Sequence, residues 1–139
     1  MFGWFRAKEK PPLVFSDNRA AFDHACGLGY QPLNGALIPA LVEEEGQQGD
    51  EGERYFRLSL ALAGVSRELW ACTLKEARDH PVVGELVGFR IVKVASDLPE
   101  PANLIGYIAC GLEPVLVVKK GWRVAKSYTP ADIKPELHW

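Results

Sequence analysis

The sequence predicts a mainly β (α+β) domain: a small, antiparallel, strongly bent sheet or barrel of OB/SH3-like architecture with one short N-terminal helix. Three observations carry this. RYFRLSLALA (54–63) alternates apolar and polar side chains with period two, which only a pleated strand satisfies. Further β-branched runs follow without helical stretches between them, so neighbouring strands join by short antiparallel turns. Closing such a sheet removes exposed edges. The chain has 139 residues, of which 47% are hydrophobic and 24% charged. That length suits one domain, and the balance is that of a globular protein with a core of its own.

Residues 1–13 read as an arm, stiffened at Pro11-Pro12. In FSDNRAAFDHACGLGY, Ser16 or Asp17 can cap a helix start. Ala21, Phe22, Ala25 and Cys26 recur at helical spacing, and Gly27 and Gly29 supply the stop. A helix from Asp17 to Cys26 follows. ALIPALV is a strand, and Pro39, which lacks an amide hydrogen, places it at an edge or in a bulge. EEEGQQGDEGE (43–53) has no bulky apolar residue and reads as a mobile acidic loop.

In 54–62, Phe56, Leu58, Leu60 and Leu62 share one face; Tyr55, Arg57, Ser59 and Ala61 share the other. RELWACTLKEA (67–77) fits a strand by alternation and a helix by composition; a hairpin back from Gly64 favours the strand. ELVGFRIVKVAS has apolar residues on both faces, as a central strand does. After the turn DLPEPAN come two strands, LIGYIACG and PVLVV, split near Gly111 and Pro114. Gly121 permits a tight turn, so PVLVV and WRVAKSY form a terminal hairpin. The domain thus spans 14–128, with a tail at 129–139.

Composition narrows function. A net charge of −2 argues against general nucleic-acid binding, which draws its affinity from cations at phosphates. Cys26, Cys72 and Cys110 are widely spaced and form no metal-ligand pattern; they read as buried thiols of a reducing cytoplasm. The opening has no continuous apolar segment of an export signal, and no stretch reaches the ~20 apolar residues of a membrane span. His24 and Cys26 point apart on a helix. No GxSxG is present. Gly27–Gly29 follows a helix instead of opening one, unlike a phosphate loop. The acidic run lacks the ligand spacing of a calcium loop. No cofactor or metal is implied. Asp79 and His80, with Arg90, are the candidates for a catalytic site assembled from distant residues.

Two surfaces stand out. KKGWRVAKSY interleaves Lys119, Lys120, Arg123 and Lys126 with Trp122 and Tyr128, the mixture that single-stranded nucleic acid requires; an inward-facing Trp on a charged hairpin is the structural alternative. Phe2, Trp4 and Phe5 lie beside Arg6 and Lys8. They dock on the chain's own core or on a protein partner; six residues bury too little for stable membrane anchoring. The expectation is a non-catalytic cytoplasmic binding module for another protein. Single-stranded nucleic-acid binding and the dispersed enzyme site are the alternatives, and the oligomeric state is left open.

Overall fold

A computed structural model describes residues 10–63, 67–75, 77 and 79–129. Phe2, Trp4, Phe5, Gly64 and the tail from residue 130 lie outside the described residues. The elements are β1 (Leu13–Val14), α1 (Asn18–Cys26), β2 (Leu37–Gln48), β3 (Arg54–Leu60), β4 (Glu68–Ala71), β5 (Leu86–Val94), β6 (Leu104–Val117) and β7 (Gly121–Ser127). They form one antiparallel sheet in the order β1-β6-β5-β2-β3-β4, with β7 also paired to β6.

The helix forms where expected. The Asp17 carboxylate accepts from the Ala20 amide at 2.8 Å, satisfying one of the unpaired donors of the first turn. Ala21, Phe22 and Ala25 are its buried residues.

The two faces of the sheet bury two apolar clusters. The inner one gathers Phe56, Leu58, Leu60 and Leu69 from β3 and β4 with Ile38, Phe89, Ile91 and Ile108. The second lies between α1 and the other face and holds Phe22, Leu37, Leu41, Leu86, Cys110 and Trp122. This explains why β2 and β5 are apolar on both sides over Leu37–Val42 and Leu86–Phe89. It also explains the central place of β5, between β2 and β6.

The sheet is bent but not closed. Its order is an open path, and no ladder joins β4 to β6 among the described residues. The segment just past β4 meets β6 at an isolated bridge, Thr73 with Ile108, where the Ile108 amide donates to the Cys72 carbonyl at 2.9 Å. Since β3, β2 and β5 separate β4 from β6 along the sheet, this bridge requires the sheet to curl. Of the two expected forms, bent sheet or barrel, the sheet is the open one, and the barrel is not formed.

Three further expectations change, for related reasons. Pro39 sits in an interior strand, paired with Gly88 of β5, not at an edge or bulge. Its carbonyl accepts from Ala61, the residue just past the end of β3. A strand residue directs its N and its O to the same side. The missing hydrogen therefore falls where the β3 ladder has already ended. Pro114 repeats the device. It lies within a continuous β6, which is not split as expected, and its carbonyl accepts from Phe15, just past the end of β1.

The acidic run is likewise not a loop. Glu43–Gln48 completes β2, pairing with Arg54–Arg57, and only the turn around 49–53 is free. This part of β2 extends beyond the core, so it shows no apolar alternation; its ladder is dressed by cross-strand ion pairs. The ambiguous segment at 67–77 contains strand β4, in a hairpin with β3.

All three thiols are free, with Cys110 buried beneath α1 and Cys26 and Cys72 half-buried. Burial pushes the Cys110 thiol from 9.0 up to about 11. The folded chain thus holds a proton that the unfolded chain releases, and folding stability falls as pH rises through this window. Urea titrations at pH 8 and pH 11 should differ by roughly 2–3 kcal/mol from this group alone. A Cys110→Ala variant should lose that part of the difference; an unchanged difference would exclude the assignment.

Candidate functional site

The register of β3 against β4 places Trp70 opposite Arg57 and Leu69 opposite Leu58. Side chains alternate across a strand, so Leu69 and Ala71 turn inward while Glu68 and Trp70 turn out. On β3, Tyr55 and Arg57 share that outer face, and Glu44 of β2 lies opposite Arg57. It is the face that α1 covers over β2, β5 and β6. Over β3 and β4 no described element covers it.

Two aromatic side chains stand on this open face. Trp70 is 49% exposed and Tyr55 37%. Gly46 allows the indole to lie against β2, since a Cβ there would come 2.5 Å from the Trp70 ring. Glu44, Glu45, Gly46, Gln47, Tyr55 and Trp70 line an open depression of about 500 Å³. On the other side of Tyr55, a second depression of about 360 Å³ is lined by Glu51, Glu53, Cys72, Thr73, Lys75 and His80 among others. Tyr55 is common to both.

The segments that carry this face are acidic: residues 43–57 and 67–75 hold seven carboxylates against four cations, with Glu43 paired to Arg19 of α1. Arg57 is fixed at its centre, donating to Glu44 and Glu68 at 3.1 Å each. Arg54 pairs with Glu45 at 3.6 Å and Lys75 with Glu51 at 3.8 Å. Exposed pairs of this kind are individually weak, so an incoming cation can compete for these carboxylates.

The second depression brings together a thiol, a hydroxyl and an imidazole, those of Cys72, Thr73 and His80. Burial, and then the Glu53 carboxylate, hold the Cys72 thiol above its ordinary value, opposite to what an activated nucleophile needs. His80 Nδ1 lies 3.4 Å from the Thr73 hydroxyl. Asp79 is not among the lining residues. Arg90 is engaged elsewhere, donating to the Gly35 carbonyl at 2.6 Å.

The terminal hairpin divides the candidate set built on it. β6 and β7 pair as expected around Lys119 and Gly121, both with positive φ (71° and 81°). Lys119, Lys120, Arg123 and Lys126 are exposed. Trp122 is 1% exposed, and its Nε1 donates to the Tyr30 hydroxyl at 2.9 Å. Tyr128 is equally buried and donates to Glu85. Neither ring can offer a face to a base, which corrects their assignment as stacking platforms. The structural alternative, an inward Trp on a charged hairpin, describes the geometry.

Trp70 and Tyr55 were not among the expected contact residues. Once β4 is read as a strand with Leu69 and Ala71 inward, Trp70 must point out, and Gly46 provides the space it occupies. Comparison with known proteins adds nothing to this geometry: no protein-family model, no curated protein and no solved structure matches the chain.

Gly46→Ala tests the seating of the indole. The added methyl should displace the Trp70 ring, a side-chain end with room to swing, and change stability by less than about 1 kcal/mol. The same variant should shift the Trp70 indole signal in a ¹⁵N–¹H correlation spectrum. An unchanged signal would show that the ring does not rest against Gly46.

Proposed function

We propose that the protein is a non-catalytic binding module that takes a basic segment of another protein on the Trp70–Tyr55 face. The observation that carries this reading is the half-exposed indole seated beside an exposed phenol on an open, acidic sheet face. Aromatic faces attract Lys and Arg side chains through the ring quadrupole, and surrounding carboxylates steer and pair them. Trp, Tyr and a desolvated cation are the usual energetic centres of a protein contact. An OB- or SH3-like reading of the curled sheet fits this role, since such a sheet holds a contact face rigidly. The three unpaired thiols favour a reducing, cytoplasmic setting.

The test is a fluorescence anisotropy titration with a labelled (Arg-Val)4 peptide. Binding should weaken as salt rises, and (Glu-Val)4 should not bind. Failure of (Arg-Val)4 to bind at low salt contradicts the reading.

A second reading rests on the four exposed cations of the β6–β7 hairpin, which could contact phosphates without base stacking. A labelled single-stranded oligonucleotide in the same titration distinguishes it: tight, salt-sensitive binding lost in a Lys119→Ala, Lys120→Ala variant would favour nucleic acid over a basic peptide.

A further inference from the structure

We propose that the basic segment binds as an added β-strand along the outer edge of β4, so that main-chain pairing fixes it and the Trp70–Tyr55 face reads its side chains; this rests on the reading above. The edge is defined by the alternation of backbone groups. The Leu60 amide donates to the Arg67 carbonyl, and Leu69 and Ala71 pair with Leu58 and Phe56. Residues 67, 69 and 71 therefore direct their amides and carbonyls toward β3. Residues 68, 70 and 72 direct theirs the other way.

Cys72 confirms the phase, because its outward carbonyl is the one that accepts from Ile108. Past that bridge, no described residue pairs with the outward groups of Glu68 and Trp70. Among the described residues β4 ends the sheet there, and an edge without a partner strand is a template for another.

β4 also dictates what the added strand must look like. Its side chains alternate between the acidic outer face (Glu68, Trp70) and the apolar inner one (Leu69, Ala71). Cross-strand neighbours share a face. The complementary strand therefore alternates basic and apolar residues, with its cations beside Glu68 and over the Trp70 ring. A second copy of β4 is a poor occupant, since it would bring a second Glu68, and no cation, onto the same face. β7, which pairs only with β6 among the described residues, is a poor acceptor for the same basic segment, because Arg123 and Lys126 on it and Lys119 in the preceding turn are exposed cations.

The experiment uses the full chain and the labelled (Arg-Val)4 peptide. Proline is tolerated at an outward-facing edge position but removes the amide hydrogen. Glu68→Pro should bind at least about tenfold more weakly than Glu68→Ala, at the same melting temperature. Equal affinities in the two variants would overturn strand addition, while a Trp70→Ala loss in the same assay would leave the face reading standing. If Trp70→Ala binds as the parent does, the face reading itself fails.

A second measurement needs no protein variant. The arginines of an added strand direct their amides to one edge and the valines to the other. Peptides N-methylated only at Arg or only at Val should therefore differ, one losing binding and the other keeping it. Equal binding by both overturns the proposal. If the chain instead runs as a dimer or larger species in light scattering, and Glu68→Pro restores the monomer, a second copy fills the edge and the basic segment is the wrong occupant.

Discussion

Replacing Trp122 by Ala is expected to lower folding stability by about 3–5 kcal/mol, the usual loss for a large aromatic removed from a core. Stabilities of single domains are themselves about 5–15 kcal/mol, so the variant sits near the edge of folding at ordinary temperature. The indole fills the layer between α1 and the sheet, with Phe22, Leu37 and Cys110 in the same cluster and the Phe15 ring 5.7 Å away. Its removal leaves a void and strips the Tyr30 hydroxyl of its donor. Trp122→Phe separates the two losses. It keeps much of the ring and should cost less than the Ala variant, with roughly 1–2 kcal/mol of the remainder due to the missing N–H. Urea midpoints report both, and an unchanged midpoint in Trp122→Ala would place the ring outside.

Trp70→Ala should do the reverse. Trp70 is the other half of the contrast: same residue type, half exposed, on the last strand of the sheet. Its loss should change stability by no more than about 1 kcal/mol. Affinity for (Arg-Val)4 should nevertheless fall by about 30-fold, since a central Trp of an interface is worth about 2 kcal/mol or more. Tyr55→Ala should weaken the same titration less. A Trp70→Ala protein that melts early but binds normally would invert the account.

The two tryptophans also show where sequence reasoning succeeds and where it fails. Strand β3 was legible because its period of two is imposed by a buried face: Phe56, Leu58 and Leu60 had to point inward together. The helix was legible through Asp17 and the spacing of Ala21, Phe22 and Ala25. The outer half of β2 was hidden, because nothing on it beyond Val42 is buried and Glu44 and Glu45, opposite Arg57 and Phe56, show no hydrophobic alternation. Pro39 and Pro114 misled because a proline's effect depends on which neighbour its nitrogen faces, and that is a property of the register. Trp122 looked like a contact residue because its sequence neighbours are cations. In the fold those cations point out from a hairpin whose other face packs on α1. Trp70 was missed because its neighbours Leu69 and Ala71 make it look like part of an apolar run, until their inward phase is known.

One measurement tests the central claim most directly. The chain has four tryptophans, Trp4, Trp70, Trp122 and Trp139, each with an indole N–H that gives its own signal in a ¹⁵N–¹H correlation spectrum. Titration with unlabelled (Arg-Val)4 should move the Trp70 indole signal and the amides of Gly46 and Tyr55, and leave the Trp122 indole in place. Movement confined to residues 119–126, with Trp70 unaffected, would contradict the account.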